Sequence, residues 1–244
     1  MEFYLTENII IKEDKTFYKT KDKIKKVNNN NWHHVLQEFG WSKISLPWIK
    51  ILNKLSHQNN KNSSFGILDC ESDGDCFFHC IANSLNEHNR FNDSYEINDS
   101  GSIRAFIADS ITEDRFNEMI GYYKIMKDVD DFDENWDPYK IKNIDDFRKI
   151  LKESGHNYWC DYILLNEIIK ILELNIFILN NNDEKKDYSV YKTLIDYNLH
   201  YDSVFLLFED YSHFKLVGFF DGDKMISYFT ENIPTEFLNL CEIR

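Results

Sequence analysis

The segment Asp69-Cys70-Glu71-Ser72-Asp73-Gly74-Asp75-Cys76-Phe77-Phe78-His79-Cys80 puts a thiol, Cys76, directly after an acidic, glycine-containing turn. An apolar face with helical spacing follows, through Phe77, Cys80, Ile81 and Leu85, so the spacing predicts a helix that opens at Cys76. A cysteine in the first turn of a helix meets unpaired N–H groups and the positive end of the helix dipole, and both favour the thiolate. A turn of this kind also aims successive backbone N–H groups, from Asp73 through Gly74 and Asp75 to Cys76, at a developing oxyanion. Gly74 permits the tight backbone that this needs. The chemistry is that of a covalent nucleophile. The competing reading is a buried helical cysteine packed beside Phe77.

A thiol nucleophile needs a base. Of the 8 histidines, His213 stands between two strongly apolar strand segments, in Phe205-Leu206-Leu207-Phe208-Glu209-Asp210-Tyr211-Ser212-His213-Phe214, where it can be held over a cleft. An ordinary strand-end surface histidine has the same local sequence. His79 is the rival, three residues past Cys76 and placed by that spacing on the helix surface. Cys76, His79 and Cys80 carry metal-ligand types, but no second Cys/His pair with zinc-like spacing accompanies them, so no metal is expected.

The elements that must position these residues follow from periodicity. Residues 1–64 form a Lys/Asn-rich extension with two short helices, around Trp32–Phe39 and after Pro47, and His57–Ser64 reads as a loop. A short strand, Phe65–Leu68, leads into the Glu71–Asp75 turn. Further helices are marked by a Ser102 cap with Ile103, Phe106, Ile107 and Ile111, by Phe116, Met119, Ile120 and Tyr123, and by Phe147, Ile150 and Leu151. They fall within 92–154, which reads as a helical insert, and the stretch Asp128–Asp137 inside it as an acidic loop. Asp161 caps an apolar helix through Leu172. Beyond it the period becomes extended, with strands expected at 175–180, 189–195, 203–208, 214–220 and 224–230, the last two joined at Asp221-Gly222. Helices first and strands later predict an α+β domain over residues 65–244: a small central, mostly antiparallel sheet flanked by helices, with the extension packed on it.

Composition narrows the function classes. The 244 residues carry 42 acidic against 28 basic side chains, a formal charge of −14, the opposite of what a phosphate-backbone binder needs. Nucleic acid and anionic membrane are therefore not expected partners, and a basic protein surface is. No apolar run approaches the length of a spanning helix, and the first residues do not read as a secretory leader. Five cysteines, an odd and sparse set, fit a reducing compartment such as the cytoplasm.

Taken together, the motifs resemble the OTU (ovarian tumour) cysteine proteases. Asp-Gly-Asp-Cys-Phe-Phe at 73–78 is similar to that family's nucleophile loop, Trp159-Cys160-Asp161 to its Trp-x-Asp helix start, and Tyr211-Ser212-His213-Phe214 to its histidine loop, in the family's order. The resemblance covers roughly residues 66–220. It implies a papain-like OTU fold and a cofactor-free deubiquitinase, monomeric, acting on ubiquitin or polyubiquitin. Cys76 would be the nucleophile, His213 the general base, Asp73 the loop aspartate, Gly74 and Asp75 the oxyanion-hole backbone, and Trp159 an aromatic beside the cleft. The chain departs from the family at residue 215. Many members carry Asp or Asn there to orient the histidine, whereas Lys215 cannot accept a hydrogen bond. Asp69, seven residues before Cys76, is the alternative orienting acid, as in members that supply the acid from upstream. Two other readings stay open: an inactive ubiquitin-binding module, and a protease for a different ubiquitin-like modifier. The Lys/Asn/Ile bias fits an AT-rich genome, such as that of a large DNA virus or an intracellular bacterium.

Overall fold

The run Val204-Phe205-Leu206-Leu207 is apolar at every position, and a strand can bury such a run only if both faces of its sheet are covered. A computed structural model, which describes residues 2–21, 23–56, 63–91, 98–132, 135–191, 193 and 195–242, meets that condition. Successive side chains of a strand point to opposite faces. Val204 and Leu206 accordingly enter one apolar cluster, and Phe205 and Leu207 a second one.

In chain order the strands and helices are β1 (Glu2–Tyr4), β2 (Ile9–Lys12), β3 (Lys15–Lys19), β4 (Ile24–Lys26), α1 (Trp32–Val35), β5 (Trp41–Lys43), α2 (Leu46–Leu55), β6 (Phe65–Asp69), α3 (Cys76–Phe91), α4 (Ser100–Ser110), α5 (Glu113–Asp128), α6 (Ile144–Lys152), α7 (Tyr162–Leu172), β7 (Leu174–Asn181), β8 (Val190–Tyr191), β9 (Asp202–Glu209), β10 (His213–Phe220), β11 (Met225–Ile226), β12 (Tyr228–Phe229) and α8 (Thr235–Leu240). Among the described residues the main sheet has the order β5-β6-β10-β9-β7-β8, with β11 added on β10 and β12 on β9. Its pairings are antiparallel except for β7 with β9. Helices α3 to α7 supply the cluster on one face, and Trp48 and Leu52 of α2 with Phe237 of α8 fill the other. The fold is α+β, a central and mostly antiparallel sheet flanked by helices.

Several elements differ from expectation. The Lys/Asn-rich start holds strands as well as helices: β1 to β4 form an antiparallel sheet of their own, anchored by the fully buried Ile9 and by Thr16 N–H donating to Asp223 O at 2.8 Å. β5, which precedes residue 65, pairs directly with β6, with Trp41 opposite Leu68. From the helices within 92–154, Ile103, Phe116, Tyr123 and Phe147 belong to the main core. Asp99, not Ser102, caps α4. Its carboxylate accepts from Ser102 N–H while the Ser102 hydroxyl accepts from Asp99 N–H, a reciprocal capping box. The stretch 189–195 keeps only β8, with residues 192 and 194 outside the described set, and 224–230 splits between β11 and β12, which pair with different strands. Residues 57–62, 92–97 and 133–134, parts of the expected loops and insert, also lie outside the described residues. Among the described residues no helix is long and apolar enough to cross a membrane.

Candidate active site

The nucleophile turn is held from both sides. Asp73 Oδ1 accepts from Asp75 N–H at 2.9 Å, a local bond that closes the turn. That bond occupies the Asp75 N–H, one of the groups expected to face an oxyanion. The Asp75 carboxylate points inward, 1% exposed, and meets Arg104 of α4. Arg104 Nε donates to Asp75 Oδ1 at 2.8 Å, Nη1 to Leu151 O at 3.2 Å and Nη2 to Tyr158 O at 2.9 Å, and its guanidinium lies 4.0 Å from the centre of the Phe78 ring. A buried ion pair persists only when its remaining donors are satisfied, and the two carbonyls do that here. Gly155 N–H completes the set, donating to Asp75 Oδ1 at 3.0 Å. Gly74 has φ +95°, and a Cβ there would lie 2.5 Å from Gly155 C. Glycine is thus required twice over, by conformation and by close approach.

Cys76 opens α3 and is half-buried. Its Sγ accepts from the N–H of Phe214 at 3.5 Å, which sets the thiol beside the first residues of β10. Burial pushes the Cys76 thiol above its ordinary value, against the downward pull of the Phe214 and Phe77 N–H groups. The helix start does not win here.

His213 is presented by the tight turn between β9 and β10. Asp210 and Tyr211 have φ of +50° and +55°, and Ser212 N–H donates to Glu209 O at 3.0 Å, the geometry of a type I′ turn. A tyrosine in the left-handed region is uncommon. Its hydroxyl donates to Asp187 Oδ2 at 2.8 Å, and Lys185 Nζ sits 4.6 Å from its ring centre. His213 Nε2 lies 2.8 Å from Asp69 Oδ1. An ionised carboxylate only accepts, so Nε2 carries the proton and Nδ1 is the basic nitrogen. Lys215 sits with its ammonium 3.6 Å from Asp69 Oδ2 and 2.6 Å from Glu209 Oε2. Burial lowers the Lys215 pKa, but Glu209 and Asp69 outweigh it and hold the group above its ordinary value.

Cys76 and His213 line one cleft of about 310 Å³, together with Gly74, His156, Trp159, Cys160, Phe208 and Phe214. Phe214 stacks on Phe208 at 4.4 Å and meets Phe77 edge-on at 5.4 Å, giving an apolar floor. Trp159 is 46% exposed at the rim. His79 is turned elsewhere, its Nε2 3.0 Å from Asp73 Oδ2. With Glu71 these two form the one cluster of potential metal-ligating atoms among the described residues, and the Cys76, His79 and Cys80 set weighed for zinc does not assemble. Cys70 and Cys80 are buried behind the cleft with their sulfurs 3.5 Å apart. Asp161 caps α7, accepting from Leu164 N–H at 2.8 Å and from the Tyr123 hydroxyl at 3.1 Å. Sequence reasoning missed Arg104, Gly155 and His156. The first had a readable trace, a guanidinium amid the apolar positions Ile103, Phe106 and Ile107.

No protein-family model matches the chain, and no curated protein does. Solved structures do. The viral OTU domain protease from Dera Ghazi Khan virus is 15% identical over 63% of this chain and 80% of that one, with a TM-score of 0.42. An OTU domain solved in complex with ubiquitin is 13% identical over 72% and 81% respectively, at 0.43. An OTU deubiquitinase from Wolbachia pipientis wMel is 11% identical over 66% and 92%, at 0.40. At these values the likeness is loose.

Proposed function

We propose that the chain is a cysteine-dependent deubiquitinase that hydrolyses the bond after the C-terminal glycine of ubiquitin. The observation that carries the chemistry is the arrangement Cys76, His213 and Asp69: thiol and imidazole lining one cleft, with the acid on Nε2 of the ring. The substrate class comes from the likeness of the Asp73–Phe78, Trp159–Asp161 and Tyr211–Phe214 motifs to the OTU family. A cleft of about 310 Å³ accommodates a narrow chain end, such as a diglycine tail, and not a folded surface.

His213 Nδ1 takes the Cys76 proton as the sulfur attacks the glycine carbonyl carbon, and the carbonyl oxygen becomes an oxyanion facing the Gly74 and Cys76 N–H groups. The tetrahedral intermediate collapses with expulsion of the lysine amine, which receives the proton from the imidazolium. A water, deprotonated by the same imidazole, then hydrolyses the thioester and regenerates the thiol. The ring shuttles one proton in each half. Asp69 keeps it in the required tautomer.

The test is turnover of isopeptide-linked ubiquitin by purified variants. Cys76→Ala should abolish cleavage, and His213→Ala should cost about a thousandfold or more in kcat, whereas His79→Ala stays within a few fold. Inactivation by His79→Ala with His213→Ala active would reverse the assignment of the base.

A further inference from the structure

The charge network behind His213 extends past Asp69. Asp69 ends β6, Lys215 is its cross-strand partner on β10, and Glu209 ends β9 opposite His213. Lys215 Nζ lies 2.6 Å from Glu209 Oε2 and 3.6 Å from Asp69 Oδ2, while Asp69 Oδ1 lies 2.8 Å from His213 Nε2. The two oxygens of one carboxylate are divided between an imidazole and an ammonium. The Lys215 side chain is 13% exposed and that of Asp69 64%. A carboxylate so open to water gains little orientation from a single pairing, because solvent competes for both oxygens. An ammonium that is itself packed and fixed by a second acid restrains it. The ammonium also offsets the repulsion between Asp69 and Glu209, the acids that face it from β6 and β9.

We infer that Lys215 is a positioning residue of this site: anchored by Glu209, it holds Asp69 Oδ2 so that Oδ1 stays on His213 Nε2 and Nδ1 remains the base for Cys76. This rests on the reading of Cys76 and His213 as nucleophile and base. It also gives the departure at residue 215 a purpose. Where an acceptor at that position would orient the ring directly, this chain moves the acceptor to β6 and uses the cation to orient the acceptor.

The experiment measures kcat and KM on a ubiquitin–fluorophore conjugate for wild type, Lys215→Met, Lys215→Arg, Asp69→Asn and the Asp69→Asn/Lys215→Met double variant. The ¹⁵N imidazole spectrum of His213 is recorded for each. Lys215→Met should lower kcat about tenfold with KM nearly unchanged, an effect in the range of coupled contacting residues. Lys215→Arg, which keeps the cation, should restore most of the loss. In the Asp69→Asn background Lys215→Met should add nothing, because the residue it acts through is gone. The Nε2-protonated tautomer should dominate in wild type and Lys215→Arg and give way to averaging in Lys215→Met. Full kcat in Lys215→Met, or a tenfold loss that persists without Asp69, would overturn the inference. Should wild type not turn over ubiquitin, the functional reading fails and the spectrum alone decides: a tautomer unchanged by Lys215→Met refutes the role, and one lost supports it. If Lys215→Met does not fold, Glu209→Gln, which releases the anchor and keeps the cation, is read the same way.

Discussion

At Cys76 two local effects oppose each other. The helix start and the Phe214 N–H favour the thiolate, while burial favours the thiol, and burial is the larger. A thiol held above its ordinary value is neutral at pH 7, and its anionic fraction grows as pH rises. Alkylation of Cys76 by iodoacetamide, followed by peptide mapping with Cys76→Ser as the blank, should therefore accelerate through neutral pH and still be climbing near pH 9, above the value of about 8.5 for a free thiol. A rate already flat below about pH 7 would mean a preformed thiolate–imidazolium pair instead. Cys76, His213 and Asp69 could be singled out in the sequence because their residue types sit at the ends of short apolar runs. Arg104 left only a faint trace, a guanidinium amid apolar positions, because its partner Asp75 lies 29 residues earlier and the ion pair forms only on folding. Nor did the sequence reveal that Asp75 spends its N–H on Asp73, since that depends on the closure of the turn.

At the scale of elements, α7 gives the sharpest test of local physics. Its cap, Asp161, is half-buried, and desolvation raises its carboxyl pKa to about 6 despite the N–H and hydroxyl bonds that lower it. A folded-state pKa above the unfolded one means that the folded state binds the proton more tightly. The penalty is therefore absent below about pH 4, grows between about pH 4 and 6, and is complete above that. Asp161→Asn keeps a capping oxygen and removes the charge. Relative to wild type it should gain up to about 3 kcal/mol as pH rises from 4 to 7, read by urea unfolding at both pH values. Parallel pH curves for the two proteins would show that Asp161 is not strained by burial. Strong amphipathic and fully apolar segments, α3, α7, β7, β9 and β10, were readable because their periods are unambiguous. The strands β1 to β4 were not. Among the described side chains of that sheet, Ile9, Ile10, Ile11 and Thr16 are the buried ones, and the lysines of β3 and β4 hide its period. The cap of α4 was misplaced because Ser102 and Asp99 are both good caps, and only the reciprocal bonds distinguish N-cap from N3.

For the molecule as a whole, the decisive feature is a sheet covered on both faces. It fixes β6, β9 and β10 side by side, and so brings Asp69, Glu209, His213 and Lys215 from three strands to one end of the sheet, beside the Cys76 turn. The order of strands could not be read from the chain, because β10 lies between β6 and β9 only by virtue of long-range pairing. The α+β class could, from helices that precede strands. What the juxtaposition is for is tested most directly by covalent capture. Wild-type protein is incubated with ubiquitin whose C-terminal glycine is replaced by a thiol-reactive group, and the product is analysed by intact mass and peptide mapping. A single ubiquitin adduct on Cys76, absent from Cys76→Ala, is the predicted result. An adduct on Cys160, the other thiol lining the cleft, or no adduct on folded wild-type protein, would contradict it.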